Sequence, residues 1–516
     1  MYESLGTSNY TYDTQGQLLT YTPPLLANYS VAYGYSNVSK TSVTAKENNV
    51  NKYQTVYDYF KNDWLKQVKG QKWNGSAWVD QVQVDYEYDA TGRCTKRKNG
   101  NGADVQTDYA YNARGETSSI KHWNPARTSE LYSIAYIRDA GGNPIRASFT
   151  GANCPTVINN QTVAYGYDEI SRLTSESIPS NSWTYDWVGN RSQTFTASYN
   201  PVDEMKDGSN YVYDMRGNLE YDPDTSSVNR TQYHYNANNL LSQVDDVDNG
   251  VTTSTNITWD GDQQRLMLQR GTNTWQFVYD PTSSNPSVLF ALEPSGNTAY
   301  FRDPYGCLLA SNCGTTNQIY HFDNLASTVL LTNGGGSVSD AIAYGAWGDI
   351  LNTQVVNQPY QFVGALGYYQ HTNTQGVDIG SFMQLGVRSY YPNVGRFTQL
   401  DPIRYGLNYY SYVSDQPTYM VDPKGLFGAQ YGNYCGMQTT PGKGTGIDQL
   451  DECCHAHDDA FAAHGCTALN QFTHPGCKAC THNLCTCAKA ASCAGRGLSC
   501  CLARKLVIAY ACGIAP

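Results

Sequence analysis

Charge is scarce in this chain. Only 15% of its 516 residues are Asp, Glu, Lys or Arg, and they leave a formal net charge of −11. That balance argues against nucleic acid as the main partner, because phosphate binding needs a basic face. Long apolar runs are missing too. No stretch approaches the roughly 18 residues of a membrane-spanning helix, and the apolar end at 506–516 is too short. Met1-Tyr2-Glu3-Ser4 has neither a basic n-region nor an apolar h-region, so no signal peptide is visible. Delivery outside the cell would then need dedicated export machinery, or this chain is the C-terminal part of a longer one. Cysteine is sparse in residues 1–426, at Cys94, Cys154, Cys307 and Cys313 alone. The pattern then breaks. Residues 427–516 hold twelve cysteines and six Lys/Arg against five Asp/Glu, whereas the body has 28 against 40.

What the body has in abundance is tyrosine, 43 in the whole chain, along with Gly, Asn, Thr and Ser. This mixture favours strands and turns over long helices. A loose unit recurs: "YDTQGQLLTY" from Tyr12, "YEYDATGRCTKR" from Tyr86, "YAYNARGETSSI" from Tyr109 and "YGYDEISRLTSES" from Tyr165. It continues with "YDWVGNRSQTF" from Tyr185, "YVYDMRGNLEYD" from Tyr211 and "YHYNANNLLSQV" from Tyr233. Alternate tyrosines share one strand face, Asp or Asn opens a turn with its side chain, and Gly takes the positive-φ position. Such hairpins in series predict one continuous antiparallel sheet that curls or stacks, because no unit buries its own face. A β-sandwich or propeller is the alternative, and the irregular spacing disfavours the propeller.

The repeats resemble the RHS/YD-repeat family, and residues 387–426, "VRSYYPNVGRFTQLDPIRYGLNYYSYVSDQPTYMVDPKGL", resemble its core motif. The matching positions are Arg388, Tyr390, Tyr391, Gly395, Arg396, Phe397, Asp401, Pro402, Asn408, Tyr410, Tyr412, Val413, Asp422, Pro423, Gly425 and Leu426. The glycine-rich step after the first Asp-Pro departs, reading "IRYGLN". The resemblance implies a mainly β fold, a hollow YD-repeat shell over 1–360 closed by an RHS core domain over 361–426. A variable toxin domain, here 427–516, would follow and be held in the shell. It also implies self-cleavage, with Asp401 and Asp422 acting on the bond between Leu426 and Phe427. Two close carboxyls can supply one base and one acid. Turn capping by both aspartates is the plainer reading.

Twelve cysteines in ninety residues signal a disulfide scaffold formed in an oxidising compartment. A zinc site at Cys477, Cys480, Cys485 and Cys487 is the weaker alternative, since it leaves eight cysteines unexplained. The segment "DECCHAHDDA", 451–460, lies in a helix predicted over 450–463. Spacing of four aligns Cys453, His457 and Phe461 on one line, with Cys454 and Asp458 on the next. Upstream, "YGNYCGMQTTPGKGTG" at 431–446 is a glycine-rich loop able to turn carbonyls towards a hard cation such as Ca²⁺.

Loop and helix together resemble secreted phospholipase A2 over residues 431–461, with the longer spacer of plant-type members. The cysteine-rich "CTCAKAASC" at 485–493 is similar to that family's second helix. The resemblance implies a small α-helical, disulfide-rich domain in which His457 is the general base and Asp458 a calcium ligand. The carbonyls of Tyr434, Gly436 and Gln438 would complete the calcium site. Cys435 would pair with Cys454, and Cys453 with a second-helix cysteine such as Cys493. His455 is expected at the surface. Two positions depart: Phe461 stands for the usual tyrosine, and Ala488 for the aspartate that orients the histidine, a role open to Asn483, a carbonyl or water. The expected function is a delivered toxin that hydrolyses the sn-2 ester of phospholipids in a target membrane. By analogy it has an inhibitor protein, and its own shell as cage. The alternative is a cell-surface YD-repeat protein with a non-catalytic, disulfide-knotted binding tail.

Overall fold

Each Tyr-Asp unit builds the turn its residues specify. At Asp89 the carboxylate accepts the backbone N–H groups of Thr91 and Arg93 at 2.9 and 3.0 Å. Gly92, at φ +83°, donates its N–H back to the Asp89 carbonyl. The same pair of side-chain bonds recurs at Asn112, Asp168, Asp186, Asp214 and Asn236. Where glycine is absent, Ser171, Asn239 and even Ala326 take the left-handed conformation, held there by those bonds. The tyrosine before the turn reaches back one repeat. Tyr88, Tyr111, Tyr167 and Tyr235 donate their hydroxyls to the carbonyls of Leu65, Cys94, Pro144 and Leu219 at 2.6–2.9 Å.

The computed structural model describes residues 6–426, apart from 101–103, 193–197, 207–210, 222–229, 284, 356–357, 372–381 and 405–406. Among these residues there is no α-helix, and strands pair antiparallel with their sequence neighbours. Fifteen strands, from Asn9–Tyr12 to Ser180–Ser182, form a first meander, and thirteen, from Val212–Tyr213 to Val338–Ala341, a second. The single uninterrupted sheet expected from the repeats is therefore broken in the middle. Between the meanders lie two hairpins with two-residue strands, Thr184–Tyr185 with Arg191–Ser192 and Ser198–Tyr199 with Met205–Lys206. Residues in this stretch also bond to the end of the body. Arg191 donates to the Asn393 carbonyl, Asn408 to the Asn190 side chain, and Arg396 to the Asp203 carbonyl.

The meanders pack face to face. Val31, Val43, Tyr57, Val68 and Val82 of the first meet Phe290, Phe301, Leu309 and Ile319 of the second. The first meander's other face is polar, carrying ladders such as Gln54–Gln71–Asp80 and Gln67–Asp85, so its strands alternate. The later strands of the second meander are covered on both sides, and Thr298–Arg302 and Leu308–Cys313 are almost wholly buried. Its far face packs under residues 342–426, where Tyr360, Tyr369 and Phe382 join Phe277, Tyr300 and Tyr320. That last segment holds a small sheet of Tyr369–Gln370, Met383–Leu385, Arg388–Tyr391 and Arg396–Phe397.

Candidate functional site

The end of the described body is threaded under this small sheet. Val387 donates its N–H to the Lys424 carbonyl at 3.1 Å, and two glycines allow the crossing. A Cβ on Gly425 (φ +62°) would lie 2.1 Å from the Leu385 carbonyl oxygen, and one on Gly386 (φ +52°) 2.2 Å from that of Lys424. Neither position admits a side chain.

Arg388, next to this crossing, is 1% exposed. Its Nε donates to the Gly425 carbonyl and its Nη1 to that of Tyr409. Its Nη2 lies 3.3 Å from Asp422 Oδ2 and 3.6 Å from Asp401 Oδ2. The guanidinium stacks over the Phe397 ring, 3.6 Å from its centroid. Asp422 is fully buried, donates its N–H to the Tyr368 hydroxyl at 2.6 Å, and accepts the Leu426 N–H at 3.0 Å on Oδ1. Tyr368 and Tyr412 share a hydroxyl–hydroxyl bond of 2.9 Å. Asp401 Oδ1 accepts the Ile403 N–H at 2.9 Å, and the Asp401 N–H donates to the Tyr409 carbonyl.

Two buried carboxyls thus share one guanidinium, which balances only one negative charge. Burial pushes the Asp422 carboxyl up to about 6 against the pull of Arg388, with the charge of Asp401 adding to the rise. Burial also raises Asp401, and Arg388 again opposes it. Near neutrality the pair retains a proton in part of the molecules, leaving one group able to accept and the other to donate.

Asp401 and Asp422 thus lie on either side of one guanidinium, the Leu426 N–H bonds to Asp422, and both aspartates cap turns as well. Phe427 lies outside the described residues. So do His457, Asp458, Tyr434, Gly436, Gln438 and the cysteines at 435, 453, 454 and 493. Sequence reasoning missed the bridging role of Arg388, visible beforehand only as one letter of a motif. It missed Tyr368 altogether, since nothing in "LGYYQ" signals a hydroxyl aimed at an amide 54 residues on.

No family model matches the chain. Over 286 residues, half of the chain, it is 24% identical to the tRNA3(Ser)-specific nuclease WapA of Bacillus spizizenii, matching 12% of that protein. A shorter match of 39 residues, 7% of the chain, is 51% identical to the neutral phospholipase A2 homolog taipoxin beta chain 2 of Oxyuranus scutellatus scutellatus, covering 30% of it. Among solved structures, that of TcdB2-TccC3 superposes with a TM-score of 0.63 at 16% identity, over 81% of this chain and 24% of the other. The described body shares the mainly antiparallel β-fold of that structure.

Proposed function

We propose that this chain is part of an RHS-type toxin whose β-body carries a calcium-dependent phospholipase A2 and cuts itself from it after Leu426. The fold shared with TcdB2-TccC3 and the likeness to a bacterial nuclease support the toxin reading of the body. The observation that carries the catalytic reading is the ordered pair of motifs, "YGNYCG" at 431–436 and "DECCHAHD" at 451–458. The short match to a phospholipase A2 homolog agrees with it in kind.

In this reading His457 takes a proton from a water molecule and the oxygen adds to the sn-2 ester carbonyl; the acyl C–O bond then breaks and His457 returns the proton to the glycerol oxygen, giving fatty acid and lysophospholipid. Asp458 and the carbonyls of Tyr434, Gly436 and Gln438 would hold Ca²⁺, which when bound offsets charge on the ester oxygen and the lipid phosphate. These donors, a carboxylate and carbonyls on a glycine-rich loop, are the oxygen set a hard cation takes. Cys435–Cys454 and Cys453–Cys493 pairing would fix loop and helix after arrival in an oxidising compartment. The body is the cage, and the producing cell needs an inhibitor protein and an export route. Release follows hydrolysis at Leu426: water adds to its carbonyl, the bond to the Phe427 nitrogen breaks, and a carboxyl and an amine result.

The test is fatty-acid release from phosphatidylcholine vesicles. Release is expected with calcium, with loss in chelator and a drop of about a hundredfold or more in His457→Ala. One observation favours a second reading, a binding tail without hydrolysis: Ala488 leaves the far nitrogen of His457 without its usual carboxylate. Vesicle binding with no fatty acid released would select that reading.

A further inference from the structure

The face of the second meander that looks away from the first carries a cavity of about 290 Å³, at the end where its hairpins turn near 271, 295 and 314. This is close to the lower limit of small-molecule sites, roughly 300 Å³. Trp275, Tyr300 and Tyr320, all nearly buried, line it, and so does Gln358. Two polar atoms in this lining have no partner. Glu293 Oε1 is buried and accepts no hydrogen bond, and the Nε2 of Gln358, a residue 3% exposed, donates none. The Gln358 Oε1 is already used by the Tyr360 N–H at 2.8 Å.

A half-buried carboxyl with one buried, unpartnered oxygen and a buried amide without an acceptor each cost free energy that a fitting ligand recovers. Among the described residues no lysine or arginine acts on Glu293, and burial alone pushes its carboxyl up to about 7. The rings beside it are electron-rich faces of the kind that attract ammonium groups.

We propose that this cavity binds a small organic cation that also carries an oxygen, of the choline or ethanolamine type. The ammonium would lie between Glu293 and the rings of Trp275, Tyr300 and Tyr320, and the oxygen would accept from Gln358 Nε2. Once ionised, the Glu293 carboxylate would repel an anion and gain no counter-charge from a neutral ligand. The site is lined by residues between Asn273 and Pro359 alone and does not depend on the tail's activity. The same group can come from a free amino alcohol or from a lipid headgroup.

Protonation gives the test its sharpness. The other titratable groups facing Glu293 are Tyr300, Tyr320, Tyr360 and Tyr369, all held above the usual tyrosine range by burial and uncharged between pH 6 and 8. Cys313 lies at the rim and is replaced by serine in a control. Calorimetric titration of the full chain in chelator would use choline and its neutral isostere 3,3-dimethyl-1-butanol. Choline should bind at least about tenfold more tightly than the isostere, and its affinity should rise about tenfold from pH 6 to pH 8. Glu293→Gln should remove both effects, and if that variant does not fold, the pH response of the native chain decides. Co-sedimentation with phosphatidylcholine but not phosphatidylglycerol vesicles that is lost in Glu293→Gln would assign the ligand of this cavity to lipid, and binding of free choline alone to a soluble amine. Equal affinity for the isostere, unchanged binding in folded Glu293→Gln, or no binding of choline or vesicles up to about 10 mM would overturn the proposal.

Discussion

At Asp422 two demands on one side chain meet. Its backbone and Oδ1 hold the turn that ends the body, through Tyr368 and the Leu426 N–H, while its other oxygen shares Arg388 with Asp401. The raised carboxyl fixes the sign of the pH response. A group whose folded value lies above its unfolded one favours the folded state below the unfolded value, near 4, and loses that contribution as pH rises through about 6. The proposed self-cleavage needs one proton in the pair, so its rate should fall as pH rises from 6 to 8. Asp422→Asn and Asp401→Asn should each leave the chain uncut, read as a single band on a denaturing gel. A variant that still cleaves at the native rate would remove the dyad from the mechanism. The two aspartates were singled out by the resemblance of the core segment, whereas the residue that joins them was not, because Arg388 meets Asp401 and Asp422 only after segments 13 and 34 residues apart in the chain have packed together.

The hairpin turn is the element on which the body is built, and its energetics can be isolated at Asp89. Burial pushes this carboxyl up, but hydrogen bonds from Thr91 and Arg93 outweigh it and hold it down at about 2. A lowered folded value contributes stability above the unfolded value, near 4, and loses it as pH falls through 2. Asp89→Ala should cost about 1–2 kcal/mol and expose the Thr91 and Arg93 amides to faster hydrogen exchange at pH 7. Unchanged exchange would mean that the strands, rather than the side chain, hold the turn. The sequence disclosed the aspartate and the glycine of this element, because both act within five residues. It concealed the tyrosine clasp, whose acceptor sits in the preceding repeat.

Across the whole molecule, stability depends on two meanders meeting closely. Gly70 of the first sits where a Cβ would be 2.3 Å from the Phe301 ring of the second. Gly70→Ala should therefore destabilise by about 1–3 kcal/mol and lower the melting temperature. Pairing it with Phe301→Leu should recover part of that loss, as expected for residues in contact. Additive losses would mean the two faces do not touch there.

Local chemistry was fixed by the sequence alone: strand alternation, turn residues, and the sharp change from an acidic, cysteine-poor body to a cysteine-rich tail, since each depends on neighbours along the chain. Only the tertiary structure decided that the repeats divide into two packed meanders. The same holds for Arg388 standing between two carboxyls and for Glu293 facing tyrosines without a counter-charge. Those outcomes depend on which surfaces meet after folding, and burial, not residue type, sets the charge a carboxyl can hold.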